Sequence, residues 1–195
     1  MDLVFATHNL NKIKEIEPLL PPYIRLHTLQ SIGCTHDIPE TGDTLEENAL
    51  QKAKYISERY GYGCFADDTG LLVKALNDAP GIHSARYAGS RKNAEENMDK
   101  LLCELEGNPE RKARFETVIA LILEGETRFF RGVVHGEITL ERSGKAGFGY
   151  DPIFRPAGYT RTFAALSLKE KNRISHRAKA FDQLIRYLSS LRTNS

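Results

Sequence analysis

Three acidic residues in the first seventy stand where carboxylates could do chemistry. Asp67 and Asp68 lie between the apolar segments 64–66 and 71–73, and Glu40 lies in an acidic loop ahead of a capped helix. A carboxylate within apolar sequence has to be ion-paired, hydrogen-bonded or bound to a metal. Mg²⁺ commonly takes one or two carboxylates together with substrate phosphates. Neighbouring strand residues point to opposite faces, so we expect at most one of the two aspartates to face a given site; a tight polar turn is the structural alternative.

Basic residues accompany two predicted helix starts. Residues 7–12 join an apolar strand to a helix N-terminus, where backbone amides and the helix dipole favour an anion, and a bound phosphate would offset the unfavourable position of Lys12. Residues 169–177 contain four cations and a histidine, and Ser175 is the predicted N-cap of the last helix. The structural alternatives are an asparagine-rich cap and a solvated basic face. The sequence contains no GxxxxGK[ST] phosphate loop.

A glycine-rich segment, residues 147–152, combines two aromatic residues with an acid. Glycine lets the backbone approach a ligand closely, and an aromatic ring offers a stacking face for a base. A loop that closes a β-meander is the structural alternative.

The elements that would position these residues alternate between strand and helix before the strands cluster, which predicts an α/β fold with a mixed sheet. In the helix that ends at Tyr60, Thr44 and Glu47 form a predicted capping box, and Asn48 and Lys52 flank the buried stripe. Strands are predicted at residues 3–6, 24–28, 64–66 and 71–73, helices at 10–17, 45–60, 94–105 and from 175, and a hairpin at 113–123 and 127–134 that residues 137–140 extend. The stripe consists of Leu45, Ala49, Ala53 and Ile56.

Composition limits the functional classes. The 195 residues include 27 Lys and Arg against 26 Asp and Glu, a net charge of +1, which argues against a surface that binds nucleic acid throughout. Locally, eight acids against three bases give residues 37–68 a charge of −5, and nine bases against two acids give residues 155–195 a charge of +7. The acidic region could bind a cation and the basic region an anion, or the two could be solvated faces of opposite sign. The three cysteines lack CxxC spacing, which favours neither a disulfide framework nor a zinc site.

We expect a cytoplasmic protein with no membrane partner. No apolar run approaches the roughly 18 residues of a membrane span, and an acid stands at residue 2, where a signal peptide would have its basic region.

Seven blocks, in this order, resemble the inosine triphosphate pyrophosphatases, which hydrolyse non-standard purine nucleoside triphosphates to the monophosphate and pyrophosphate. The resemblance runs from Phe5 to about Lys179 and is carried by residues 6–12, 40–44, 47–53, 66–71, 80–89, 148–152 and 175–177. Two positions depart from the family's usual pattern. His8 replaces a glycine and adds bulk to the first loop, and Thr69 replaces a serine but keeps the hydroxyl.

The resemblance implies an α/β fold with an elongated central mixed β-sheet and flanking helices. Residues 1–195 would form a single domain of two interleaved lobes around a nucleotide cleft, commonly as a homodimer. The substrates would be ITP, dITP and XTP, and no nucleic acid partner is expected.

The resemblance also implies a site, residue by residue. Glu40 and Asp68 would hold Mg²⁺, and Asp68 would be the general base for attack of a metal-associated water on the α-phosphorus, with pyrophosphate leaving. The triphosphate would be bound by Thr7, His8, Asn9, Leu10, Asn11, Lys12 and Lys52. The nucleotide would be surrounded by Thr69, Arg86, Phe148, Gly149, Tyr150, Asp151, Lys171, His176 and Arg177. Donors at His176 and Arg177 would favour a purine with a 6-oxo group over adenine.

Two other functions remain open on sequence. A related pyrophosphatase could act on pyrimidine or modified nucleotides. A nucleotide- or RNA-binding module without catalysis would use the basic C-terminal segment and the aromatic residues, would not need Glu40 and Asp68, and would bind after chelation of divalent metal.

Overall fold

The structure is a computed structural model that describes residues 1–193, with side chains as far as residue 191. Its strands are β1 (Asp2–Phe5), β2 (Arg25–Thr28), β3 (Cys64–Val73), β4 (Pro80–Gly81), β5 (Lys112–Leu123), β6 (Glu126–Ile138) and β7 (Phe154–Pro156). Its α-helices are α1 (Leu10–Ile16), α2 (Leu45–Tyr60), α3 (Ala94–Glu104), α4 (Leu168–Ile174) and α5 (His176–Thr193).

One sheet contains all seven strands in the order β2-β1-β3-β5-β6-β7, with β4 paired to β3. Strand β1 is parallel to β2 and β3, whereas the β3–β4 and β6–β7 pairs are antiparallel. The predicted α/β class and mixed sheet are therefore confirmed. No helix within residues 1–193 is long and apolar enough to span a membrane.

The chain divides into two compact units, and three strands contribute residues to both. Unit 1 contains Met1–Asp68, Thr117–Gly132 and the chain from Arg177 onward, and unit 2 contains Thr69–Glu116 and Val133–His176. The single domain and the nucleotide cleft implied by the resemblance stay predictions.

The core of unit 1 forms between its strands and two helices. The predicted stripe of α2 is fully buried, and the helix ends at Gly61, whose φ of 71° suits glycine. On α5, Phe181 and Leu184 pack in one cluster with Phe5 and Phe65, whose rings stack 4.7 Å apart. Burial of these apolar faces is what holds β1, β3 and α5 together.

The core of unit 2 is rich in phenylalanine. Phe115 on β5 lies 4.7 Å from Phe154 and 6.2 Å from Phe163, measured between ring centroids. Met98 and Leu101 of α3 belong to the same buried cluster. This core fixes the backbone of the segment that carries residues 147–152, because Lys145 N and Ala146 N donate to the Ala164 carbonyl beside Phe163.

Three sequence predictions need correction. Residues 64–73 form one continuous strand, since buried ion pairs satisfy the polar residues 67–68 that looked like a turn. Residues 137–138 end β6, and the following strand is β7. The predicted start of the last helix near residue 175 is confirmed, since α5 begins at His176; the basic residues before it form an additional helix, α4, which ends where Ser175 is extended (φ −67°, ψ 153°). Only one of the two predicted capping-box bonds forms, in which Thr44 Oγ1 accepts from Glu47 N. The Glu47 side chain accepts from Asp43 N instead of from the predicted Thr44 N.

Candidate active site

Asp67 is the centre of a buried ion-pair network within unit 1. Its carboxylate accepts from Lys12 Nζ at 2.8 Å and from Arg177 Nε at 3.2 Å, and Arg177 Nη1 also donates to Glu15 at 2.5 Å. Burial alone would raise the pKa of Asp67, but Lys12 and Arg177 outweigh it and hold that pKa well below its usual range. Asp67 is therefore ionised at neutral pH and joins α1 and α5 to β3.

Asp68 belongs to a different cluster. Lys52 Nζ lies 3.7 Å from Asp68 Oδ1 and 2.5 Å from Glu40 Oε1, so both carboxylates reach the same ammonium. Burial raises the pKa of Asp68, with Glu40 and Asp67 adding to the rise and Lys52 opposing it. Burial would lower the pKa of Lys52, but Asp68 and Glu40 outweigh it and raise that pKa, so the ammonium stays charged. The two adjacent aspartates have separate environments, as their position on a strand predicts.

The donor set at Glu40 and Asp68 fits Mg²⁺. Both side chains offer hard carboxylate oxygens next to a shared cation, and both are partly accessible. Residues 1–191 include no group of three or more His, Cys, Asp or Glu placed to hold a metal, so the protein alone does not form a complete coordination shell there. Two carboxylates that leave the remaining positions to phosphate oxygens and water are the arrangement in which Mg²⁺ is commonly bound.

Asn9 organises the loop of residues 7–12. Its Oδ1 accepts from Asn11 N at 2.9 Å and from Lys12 N at 3.4 Å, which caps α1. The exposed His8 has its Nε2 3.0 Å from the His36 carbonyl oxygen, so that nitrogen carries the proton and donates. The sequence predicted that backbone amides at this helix start bind an anion, but the amides of Asn11 and Lys12 already donate to Asn9. The ammonium of Lys12 contacts Asp67.

A second cluster lies in unit 2. Lys171 Nζ on α4 donates to Asp151 Oδ2 at 2.5 Å, and Phe148 N donates to the same oxygen at 2.8 Å. Lys171 Nζ also lies 5.1 Å from the centroid of the Phe148 ring. Gly147 has a φ of 74°, and a Cβ there would lie 2.1 Å from Asp151 Oδ2, so this position requires glycine.

The other predicted nucleotide-binding residues of unit 2 lie on several different elements. His176 is buried and stacks on Phe115 with the ring centroids 4.5 Å apart. The Tyr150 hydroxyl donates to the Ser84 carbonyl at 2.9 Å, and burial raises the pKa of that phenol. Thr69 is half-buried on β3, and Arg86 is half-buried in a short 3₁₀ helix.

The predicted site residues thus form two groups. Unit 1 contains Thr7, His8, Asn9, Leu10, Asn11, Lys12, Glu40, Lys52, Asp68 and Arg177, and unit 2 contains Thr69, Arg86, Phe148, Gly149, Tyr150, Asp151, Lys171 and His176. Leu10 is exposed and offers the polar network no side-chain donor or acceptor. The individual roles of these residues stay predictions.

Sequence reasoning missed Glu15. It is buried on α1 and pairs with Arg177, a residue 162 positions away. One local signal existed: Glu15 follows Lys12 by three residues, a spacing that places both side chains on one helix face.

Comparison with known proteins places these features in a family. The Ham1 family model matches residues 3–187. A "dITP/XTP pyrophosphatase" of Flavobacterium johnsoniae is 55% identical over 190 residues, covering 97% of this chain and 99% of the relative. Another with the same name from Christiangramia forsetii is 56% identical over 189 residues, covering 97% and 100%. The solved Staphylococcus aureus Ham1 protein has a TM-score of 0.89 and 39% identity, covering 97% and 99%.

Proposed function

Because this chain belongs to the Ham1 family, we propose that it hydrolyses the non-standard purine nucleoside triphosphates ITP, dITP and XTP to the monophosphate and pyrophosphate. The observation that carries the proposal is the name "dITP/XTP pyrophosphatase" on relatives that are 55–56% identical over 97% of this chain. The carboxylate and lysine cluster in unit 1 supports it, since it has the charges that a phosphoanhydride hydrolase needs.

Glu40 and Asp68 are the proposed Mg²⁺ ligands. When bound, Mg²⁺ supplies positive charge to phosphate oxygens and makes water a better nucleophile near neutral pH. Asp68 is the proposed acceptor of the proton from the attacking water, because its carboxylate is partly accessible and lies in the same cluster as Glu40 and Lys52.

Lys52 and Lys12 are the proposed triphosphate contacts. Lys52 carries a charge that its raised pKa supports, so it can exchange part of its contact with Glu40 for a phosphate oxygen. Lys12 is half-buried beside Asp67, whose carboxylate orients the ammonium. Arg177 already donates to Asp67 and Glu15, which supports a role in holding this network more than direct contact with the nucleotide.

The unit 2 residues are the proposed base-recognition group. The ring of Phe148 offers a face for stacking, and the Asp151–Lys171 pair fixes the loop that carries it. A base that leaves a buried donor or acceptor without a partner loses about 1–3 kcal/mol per group, or roughly 5- to 150-fold in kcat/KM. We expect that difference between ITP or XTP and ATP.

We also propose that the protein is a homodimer, that it is located in the cytoplasm and that it has no nucleic acid or membrane partner. A dimer would sediment with twice the chain mass of 21.9 kDa. Sedimentation equilibrium at micromolar protein tests the first of these assignments.

A nucleotide panel tests the activity. Pyrophosphate release is measured with ITP, dITP, XTP, GTP, ATP and a pyrimidine triphosphate, with Mg²⁺ and with excess chelator. We expect turnover of the first three that stops on chelation. Preferential turnover of the pyrimidine would assign the chain to a related pyrophosphatase group, and binding without turnover that survives chelation would identify a binding module.

A further inference from the structure

Three successive backbone amides directly after Glu40 each donate to a different side chain of α2. The bonds are 2.7–2.9 Å long between nitrogen and oxygen. They join Thr41 N to Gln51 Oε1, Gly42 N to Asn48 Oδ1 and Asp43 N to Glu47 Oε2. The first two turns of α2 therefore bind the backbone of residues 41–43 through side chains, a contact set that we name the Glu40 latch.

The packing of Gly42 shows how closely this loop approaches the helix. A Cβ at Gly42 would lie 2.5 Å from Glu47 Cβ and 3.1 Å from Asn48 N, which no ordinary side chain tolerates. Asn48 itself is only 1% exposed, so its carboxamide is committed to the loop. Gln51 makes a second bond to Thr41, from Nε2 to Oγ1 at 3.0 Å.

The same helix also reaches the Glu40 side chain. Lys52, the residue after Gln51, donates to Glu40 Oε1 at 2.5 Å and lies 3.7 Å from Asp68 Oδ1. α2 thus fixes both the backbone that follows Glu40 and the direction of its carboxylate. A loop held only by its ends would have to be ordered during metal binding, at a cost in conformational entropy.

We infer that Glu47, Asn48 and Gln51 are positioning residues that hold Glu40 ready as a metal ligand opposite Asp68. The inference rests on the proposed function for the identity of Glu40 as a ligand. It adds that metal affinity depends on side chains that touch neither metal nor substrate. Gln51 is the member to test, because it is half-buried and its loss leaves no buried polar group within the helix.

The test compares Gln51→Met, which keeps the length of the side chain but not the oxygen, with Gln51→Glu, which keeps an acceptor for Thr41 N. Glu58→Ala, an exposed change on the same helix, is the matched control. Mn²⁺ affinity is measured by electron paramagnetic resonance, and exchange of the Thr41 amide proton by NMR. Turnover of dITP and XTP by the wild-type protein is measured in parallel.

We expect Gln51→Met, which removes both bonds to Thr41, to weaken Mn²⁺ binding by at least about 3- to 10-fold, the factor that one hydrogen bond of ordinary net strength carries, and to speed exchange at Thr41. Its melting temperature should match that of Glu58→Ala, and Gln51→Glu should restore the affinity. Faster exchange with unchanged Mn²⁺ affinity, or no Mn²⁺ binding by the wild-type protein, would overturn the latch. If Gln51→Met weakens Mn²⁺ binding but the wild-type protein hydrolyses neither dITP nor XTP, the latch is retained and the proposed function is rejected.

Discussion

At the scale of single residues, Asp67 and Asp68 are neighbours with opposite tasks. Asp68 is the proposed base and metal ligand, and an amide can neither accept the proton nor supply charge. Asp68→Asn should lower kcat about 10²- to 10⁴-fold, the usual contribution of a general base, while the melting temperature stays near that of the wild-type protein. Pyrophosphate release and thermal unfolding of the purified variant measure the two effects.

Asp67→Asn should act mainly on stability. The change leaves Lys12 and one side of Arg177 buried without their anion, and breaking a buried ion pair from one side costs about 3–5 kcal/mol in the free energy of unfolding. Urea unfolding of both variants checks the assignment. A stable Asp67→Asn with no activity, beside an unstable Asp68→Asn, would mean that the two roles are exchanged.

The low pKa of Asp67 also predicts how stability depends on pH. A carboxylate whose pKa is lower in the folded than in the unfolded state stabilises the fold above the unfolded pKa, about 3.9 for Asp, and loses that contribution as pH falls toward the folded pKa. The gap in unfolding free energy between wild type and Asp67→Asn should therefore be constant above about pH 5 and shrink below pH 4. Urea titrations from pH 3 to 7 measure it, and a gap that widens on acidification would contradict the ion-pair account.

At the scale of elements, the loop of residues 147–151 depends on one glycine. Gly147→Ala would place a methyl group onto the Asp151 carboxylate and so displace its bonds to Lys171 and Phe148 N. Gly158 is the matched control, since its φ of 82° is similar and a Cβ there meets no atom within 4 Å.

Gly158→Ala should cost about 1–2 kcal/mol, the price of a left-handed backbone alone, and Gly147→Ala should cost clearly more. Chemical denaturation of the two variants gives the comparison. Equal losses would show that the Asp151 contact adds nothing beyond backbone strain.

At the scale of the whole molecule, the three cysteines report on burial. Cys34 and Cys64 are buried, Cys103 is exposed, and all three are free thiols. A thiol reagent should therefore modify one cysteine rapidly in the native protein and all three in denaturant, and Cys103→Ser should remove the rapid phase. Burial also raises the pKa of the Cys64 thiol, which slows its reaction further. Two rapid phases in native wild type would contradict the packing around α2 and β3.

Local pattern determined much of the fold. The period of apolar residues predicted the buried stripe of α2, and Gly61 predicted where that helix ends. The alternation of side chains along a strand predicted that Asp67 and Asp68 have different environments. The hairpin of β5 and β6 followed from two apolar runs around Glu124-Gly125. These features depend on residues close in sequence, so they are legible without tertiary structure. The ordered blocks also identified the family.

Only the tertiary structure decided which charges meet. Lys12 reaches Asp67 across 55 positions, and Arg177 reaches Asp67 across 110 and Glu15 across 162. These pairs make residues 64–73 one continuous strand, which the sequence alone divided into two segments, and they bury Arg177, for which the sequence left both nucleotide binding and a solvated face open. No local period encodes such pairs, because they form only when burial removes water and makes an unpaired charge costly. For the same reason the bonds from α2 to residues 41–43 could not be inferred from the sequence of either segment alone.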